Sequence, residues 1–205
     1  MSTATTRRPA RPVARFAAAV AAAALALVTA GAVAPSAGAA VPAAGSAVVT
    51  ESNAFFQQAA LAGIVAVPLP SATASYDGSA GFSGSFPVTG GTGSLTDYYG
   101  QVQLGGGLLV VDVRTGRSVA FTQLAFSADT WQLTGVPAGG AAPVALFDPA
   151  GENTVTRSGA VQSLTASSLT VDAEGALLLD QRLGTSFFTA GQSVGSFALT
   201  YTPAS

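Results

Sequence analysis

The chain contains 205 residues, of which 49% are hydrophobic and only 9% are charged, and it has no cysteine and no histidine. All eight basic residues are arginine, and the formal net charge is −2. This composition excludes disulfide bonds and thiolate metal sites, and it removes the His, Cys and Lys side chains on which most acid–base and covalent catalysis depends.

The N-terminal residues 1–40 have the order of a secretory signal peptide. Four arginines come first, and no acidic residue occurs before Glu51. Residues 16–34 then form an alanine-rich apolar run, and the small residues of "SAGAAV" suit cleavage after Ala39 or Ala40. A transmembrane anchor is the alternative, because a run of this length can span a bilayer. Alanine is only weakly apolar, so we expect cleavage and no stable membrane span afterwards.

Removal of residues 1–40 makes the remaining chain acidic. Four arginines then face ten aspartates and glutamates, which gives a net charge of −6. A chain this acidic, without a basic cluster, is not expected to bind nucleic acid or an anionic membrane surface. We expect a protein that is secreted or associated with the cell envelope, with an envelope or extracellular component as its partner. The arginine-only basic set and the abundant Ala, Gly and Val indicate a high-GC bacterium.

The segment 41–50, "VPAAGSAVVT", is predicted to be a short linker. A helix is predicted next, over "ESNAFFQQAALAGI", where apolar residues recur at helical spacing. Ser52 or Asn53 suits the N-cap of this helix, and Gly63 suits its end. Residues 51–205 are therefore expected to form one domain that begins with a helix.

Strand signals dominate the rest of the chain. Short runs rich in β-branched and aromatic residues are bounded by Gly and Pro, and they cover 64–69, 72–76, 81–88, 94–104, 107–113, 117–128, 130–135, 143–148 and 160–171. A second helix is predicted after Asp172, which suits its N-cap. In the last strand, "SVGSFALTYT", Phe197, Leu199 and Tyr201 fall on one face. The pattern predicts a mainly β protein, a single antiparallel β-sandwich or barrel-like domain with two short helices.

Gly191–Gly195 matches the G-x-S-x-G nucleophile elbow of serine hydrolases. That elbow requires a strand before the serine, a helix after it and a base that accepts the hydroxyl proton. Here the predicted order is a helix before and a strand after, and the chain has neither His nor Lys. We therefore interpret the match as a loop that enters the last strand.

The carboxylates are the remaining candidates for catalysis, as a glycosidase pair. Most of them suit turns or helix caps, and no spacing brings two together. The stretch "DPAGEN" (148–153) offers oxygen ligands of the kind that calcium binds, but it lacks the alternate spacing of a calcium loop, and a turn is predicted. The glycine-rich stretches "GGTGSL" and "LGGGLL" lack the phosphate-loop pattern and are also predicted to be turns. No metal site and no cofactor is assigned.

Tyr98 and Tyr99 are the most prominent polar aromatic residues. Placed in a strand, they would point to opposite faces, with one side chain in the core and the other exposed. A tyrosine phenolate can also ligate haem iron. Trp131 alternates with Leu133 and is expected to lie in the core.

Three stretches of the chain resemble secreted actinobacterial β-rich proteins. They are "FFQQAALAGIVAVPLPSATA" with "FPVTGG", "GQVQLGGGLLVVDVRTGRSVAFTQLAFSAD" with "PVALFD", and "LTASSLTVDAEGALLLDQRLGTSFFTAGQSVGSFALTYTP". That group is distantly similar to haem-transport-associated (HtaA-type) domains. The resemblance implies a β-rich domain outside the membrane. HtaA-type domains pair a Tyr ligand with a His, and since this chain has no His, no ligand position carries over; Tyr98 and Tyr99 are the nearest available donors.

We therefore expect a non-enzymatic cell-envelope or extracellular binding or structural module. One alternative is a carrier of haem or another hydrophobic small molecule, which requires an apolar pocket with Tyr98 or Tyr99 at its mouth. Another is a glycan-active hydrolase, which requires two carboxylates that face each other across a groove.

Overall fold

A computed structural model describes residues 41–78 and 81–205. The signal peptide predicted over 1–40 lies outside the described residues. The described elements belong to one compact unit, Ala39–Ser205. In chain order they are β1 (Ala44–Glu51), α1 (Asn53–Ala62), β2 (Ile64–Leu69), β3 (Thr73–Asp77), β4 (Gly81–Ser94), β5 (Tyr99–Leu104), β6 (Gly107–Asp112), β7 (Arg117–Ser127), β8 (Gln132–Pro137), β9 (Val144–Ser158), β10 (Val161–Val171), α2 (Ala173–Leu183) and β11 (Ser193–Thr202).

Eight of the strands close into an antiparallel barrel. The order around the barrel is β7, β5, β4, β1, β11, β10, β9 and β8, and β8 pairs with β7 to complete the circle. Strands β6 and β2 continue outward from β7, and β3 pairs with β4. The prediction of a mainly β, antiparallel domain with two helices is confirmed, and the barrel is the form that it takes.

The barrel wall splits at the end of β5. Strand β4 pairs with β5 over Val88–Ser94, and along the same edge it pairs with β3 over Gly81–Ser85. Strand β7 changes partner in the same way, from β6 at Arg117–Phe121 to β5 at Ala125–Ser127. The pairing of β7 with β8 shows a register shift between these two parts. The β2–β6 pair and the β3–β4 pair are therefore two separate arms of this one sheet beyond the end of β5.

The core follows the alternation that the sequence predicts for the last strand. Phe197, Leu199 and Tyr201 are each no more than 2% exposed. The Tyr201 hydroxyl donates a hydrogen bond of 3.1 Å to the carbonyl oxygen of Gly91 on β4. This bond satisfies the polar end of a fully buried aromatic side chain.

Both helices begin at residues that the sequence indicates, and α1 also ends where expected, whereas α2 ends at Leu183, before the end of the predicted helical stretch, which continues to Phe188. The Ser52 hydroxyl accepts a hydrogen bond from the Phe55 amide, and Gly63 ends α1 in the left-handed conformation with φ 80°. The Asp172 carboxylate accepts a hydrogen bond from the Glu174 amide at the start of α2. These interactions are local, so they can be predicted from the sequence.

The structure differs from the predicted linker over 41–50. Most of this segment forms β1, which pairs with β11 on one side and with β4 on the other. Its Ala, Gly and Ser residues have weak strand propensity, so local preference does not reveal a strand. Backbone pairing with β11 and β4 on its two edges stabilises the strand.

Two predicted turns are also wrong, because they are irregular stretches of strand. "DPAGEN" lies within β9, where Gly151 has φ 71° and the register to β10 shifts near Ser168. "GGTGS" lies at the end of β4, which has a register shift between Val88 and Gly90. A β-bulge favours the same residue types as a turn, and only the pairing partner distinguishes the two.

The Gly191–Gly195 motif is confirmed as a loop that enters a strand. Gly191 occupies the turn with φ 77°, and Ser193 is the first residue of β11. The Ser193 hydroxyl contacts the Ser168 hydroxyl at 3.1 Å. A Cβ atom at position 195 would overlap the carbonyl oxygen of Thr50 on β1. The second glycine of the motif is therefore required by the close approach of β1 to β11.

We expect Gly195→Ala to lower the free energy of unfolding by about 2 kcal/mol or more, because the added methyl group meets backbone and not a movable side chain. Gly78→Ala is the matched control, since a Cβ atom there has no neighbour within 4 Å. Urea unfolding measures both variants. Equal stability of the two variants would contradict the close β1–β11 contact.

Candidate functional site

An apolar cleft occupies the gap between the two arms of the sheet. It has a volume of about 350 Å³ and is bordered by α1, by β2 and β6 on one side and by β1 and β4 on the other. Six phenylalanines contribute to its lining, namely Phe55, Phe56, Phe82, Phe86, Phe147 and Phe188. We refer to this space as the apolar cleft.

Helix α1 forms one wall because its capped ends fix its position. Phe55 and Ala59, one helical turn apart, are buried against the core. The next residues, Phe56 and Ala60, are exposed and also line the cleft. Gly63, which ends α1, leads directly into β2, so the helix and this strand border the same space.

The rim of the cleft is apolar and open. Phe56, Val65 and Val67 are 41%, 42% and 43% exposed, although all three are large hydrophobic residues. Tyr76 on β3 packs against Phe56, with the ring centroids 6.4 Å apart. Deeper residues, such as Ile64 and Val110, are 4% exposed. The cleft therefore extends from the solvent to the edge of the buried core.

Glu51 is the one ionisable residue among those that line the apolar cleft in the part of the chain that the structure describes. Its side chain is partly buried, and desolvation raises the pKa of its carboxyl group from 4.5 to about 7. No neighbouring charge and no hydrogen bond contributes to this shift in pKa within the described ranges. A single carboxyl group without a counter-ion thus faces apolar surroundings.

Glu51 is a site residue that the predictions of a linker over 41–50 and of a helix from Glu51 onward both hide, although the sequence contains a signal for it. Ala47, Val49 and Glu51 share one face of β1, and Ala47 is fully buried while Val49 and Glu51 line the cleft. An acidic residue in the apolar phase of a strand is an exception to the alternating pattern. A linker that is followed by a helix has no such phase, so the exception becomes visible only when 44–51 is known to be a strand.

A second, polar recess lies elsewhere on the barrel. Its volume is about 340 Å³, and its lining includes Asp97, Tyr99, Arg157 and Gln162. The side-chain oxygen of the buried Gln162 accepts a hydrogen bond of 2.6 Å from the Leu95 amide. Internal hydrogen bonds of this kind hold the turn between β4 and β5 in place.

The structure places Tyr98 and Tyr99 away from the apolar cleft. Tyr98 lies in the turn before β5 with φ 56°, not in a strand, and the two side chains are 60% and 55% exposed. The prediction that one of them is buried is wrong, because the turn removes the alternation of a strand. Tyr98 packs on Trp131 with centroids 5.3 Å apart, and Tyr99 lines the polar recess. Trp131 is only half-buried, at the margin of the core.

Two carboxyl groups do lie together, at Asp148 and Asp172. Burial and the charge of Asp172 raise the pKa of Asp148, and the Gln132 amide donates a hydrogen bond of 3.2 Å to Asp172. Since Asp172 caps α2, the pair has a structural role. Neither residue lines the apolar cleft or the polar recess.

Clusters of metal-ligating side chains are absent from residues 41–78 and 81–205. No group of three or more His, Cys, Asp or Glu residues is placed to hold a metal ion there. None of the helices within these ranges is long and apolar enough to cross a membrane.

The fold is similar to a solved domain from an actinobacterium. The C-terminal domain of HtaA from Corynebacterium glutamicum aligns with 81% of this chain and 99% of its own length, at 14% identity and a TM-score of 0.51. A domain-swapped dimeric variant of that domain aligns with 73% of this chain and 91% of its own, at 14% identity and a TM-score of 0.45. No protein-family model and no curated protein matches the sequence. The first alignment confirms the distant HtaA-type resemblance at the level of the fold.

We expect Glu51→Gln to stabilise the protein by about 1–2 kcal/mol at alkaline pH, a value reduced from the full shift because the side chain is partly exposed. The folded-state pKa of Glu51, about 7, lies above the ordinary 4.5. Its contribution to stability is therefore fully present below pH 4.5 and is lost as the pH rises through 7. The variant should gain nothing at acidic pH, where the native carboxyl group is neutral.

Urea unfolding at both ends of this pH range measures the effect, and Glu152→Gln, at an exposed position on β9, is the control. A gain for Glu51→Gln that is the same at acidic and alkaline pH would contradict a raised pKa.

Proposed function

We propose that this protein is a non-enzymatic binding module, secreted or held at the cell envelope, that binds an apolar small molecule in the apolar cleft. The open cleft between α1 and the two arms of the sheet carries this proposal. The signal-peptide pattern of residues 1–40 supports a location outside the membrane.

The dimensions and lining of the cleft suit a ligand of this class. Small-molecule sites are concave, mostly apolar spaces of about 300–1,000 Å³ with a few placed polar groups. The apolar cleft, at about 350 Å³ and with one carboxyl group, fits this description. Its exposed Phe56, Val65 and Val67 lose contact with water when a ligand is bound, which favours binding by the hydrophobic effect.

The hydrolase alternative has less support from the arrangement of the carboxylates. A glycosidase requires two carboxyl groups on opposite sides of the substrate. Among the described residues, Glu51 is the only carboxylate that lines the apolar cleft, and Asp97 is the only one that lines the polar recess. Asp148 and Asp172 interact directly and do not line either space.

A haem bound in the apolar cleft would require an iron-ligating residue other than Tyr98 and Tyr99, the two donors that we expected. Tyr98 and Tyr99 are outside the apolar cleft, so a haem bound there would not reach either phenol. A haem bound by Tyr99 would instead lie in the polar recess, whose lining includes Asp97 and Arg157. This arrangement favours an apolar ligand in the cleft over a tyrosine-ligated haem.

We expect Ala60→Trp to weaken the binding of a neutral apolar dye by at least about tenfold, because the indole ring fills part of a pocket that is already small. The dye N-phenyl-1-naphthylamine reports binding by an increase in fluorescence. Leu61→Trp is the matched control, since it adds the same side chain to the same helix at a position that is 77% exposed and does not line the cleft. Equal loss of dye binding in the two variants, or no binding by the unmodified protein, would contradict the proposal.

A titration with hemin tests the tyrosine positions separately. We expect Tyr98→Phe and Tyr99→Phe to leave the absorption spectrum of the mixture unchanged, because neither phenol faces an apolar space that could hold a porphyrin. Loss of a saturable spectral change in one variant, with the change retained in Ala60→Trp, would identify that tyrosine as a haem ligand; if the tyrosine is Tyr99, the haem site lies in the polar recess.

A further inference from the structure

The apolar cleft contains a charge that nothing within the described residues balances. The strands and the helix closest to Glu51 along the chain and in the sheet, namely α1, β4 and β11, contain no Asp, Glu, Lys or Arg. Strand β2, on the far side of the cleft, contains none either. None of these elements therefore supplies a charged partner to the Glu51 carboxyl group.

No arginine lines the cleft among the described residues, so its lining supplies no cation to Glu51. Asp77, at the end of β3, and Asp112, at the end of β6, are themselves acidic. Arg114 lies at the far end of α1, where its guanidinium donates a hydrogen bond to the carbonyl oxygen of Leu61. Glu51 precedes the start of this ten-residue helix, which is about 15 Å long. The helix thus separates the carboxyl group from this arginine.

An unpaired carboxylate in apolar surroundings is unfavourable, and a ligand that pairs with it removes the cost. A charge taken out of water is tolerated when it is paired and hydrogen-bonded. Among ligand groups, a protonated amine provides both the opposite charge and N–H donors. Glu51 therefore distinguishes a cationic ligand from a neutral one of the same shape.

The aromatic lining of the cleft also favours a cationic ligand. Phe55, Phe56, Phe82 and Phe86 come from the two elements that follow and flank β1, and all four line the cleft. The face of an aromatic ring attracts a cation, and this attraction is stronger where water is excluded. An ammonium group beside Glu51 would therefore meet both a carboxylate and aromatic rings.

We propose that the ligand of the apolar cleft is an amphiphilic amine, whose apolar body lies among the phenylalanines and whose ammonium group pairs with the Glu51 carboxylate. This inference rests on the proposed function, because it requires the cleft to bind small molecules. It adds the chemical class of the ligand and the residue that selects it.

Two ligands of matched length distinguish the binding of an apolar molecule in the cleft from the selection of an amine by Glu51. Decylamine and decan-1-ol have the same alkyl chain, and only the amine is charged near pH 8.5, where the Glu51 carboxyl group is mostly ionised. Displacement of N-phenyl-1-naphthylamine from the purified protein gives the affinity of each. We expect the amine to bind about tenfold more tightly than the alcohol, as for one charge-assisted hydrogen bond.

The variant Glu51→Gln keeps the size of the side chain and removes its charge. We expect it to lose the preference for the amine while its affinity for decan-1-ol changes by less than about threefold. Glu152→Gln, at an exposed position outside the cleft, should keep the full preference.

Each other result overturns a specific claim. If the unmodified protein binds both ligands equally, or if Glu51→Gln retains the preference for the amine, the role of Glu51 is wrong while the apolar binding site stands. If neither ligand displaces the dye, or if the dye itself does not bind, the proposed function fails and the inference fails with it.

Discussion

The exchange of partner strands along β4 and β7 is the constraint on which the apolar cleft depends. Strand β5 pairs with both β4 and β7, but only along part of each, and β3 and β6 then take its place on two separate arms of the sheet. A barrel wall that continued as one sheet would bury its inner face completely. Because the wall divides, apolar side chains of both arms face a space that α1 borders, and the proposed function is placed in that space.

Local signals are enough to predict the parts of the fold that depend on neighbours in the chain. Ser52, Gly63 and Asp172 end or begin helices through hydrogen bonds within a few residues, and the alternation of Phe197, Leu199 and Tyr201 reports one buried face. Strand β1 is not predictable in this way, because its first four residues are Ala, Gly or Ser and its stability comes from pairing with distant strands. The β9 bulge is not predictable either, because Gly151, with a positive φ, suits both a turn and a bulge, and only the pairing with β10 distinguishes the two.

The cleft itself is beyond prediction from one sequence. Its walls bring together Phe56, Phe86 and Leu108, and no periodicity in the chain connects these positions. Tyr98 and Tyr99 have the chemistry of haem ligands, but the turn before β5 directs them away from the apolar space. Glu51 is recognisable only once β1 is known to be a strand, because its position in the apolar phase then becomes an exception.

The location of the bound ligand is the most direct test of a binding site in the apolar cleft. Backbone amide resonances of the protein, followed by NMR during a titration with decan-1-ol, report which residues contact a neutral apolar ligand. We expect saturable shifts concentrated in α1, β2 and the first half of β4, with little change in the turn before β5. Shifts centred on that turn and on Tyr98 and Tyr99, or no saturable shifts at all, would contradict a binding site in the apolar cleft.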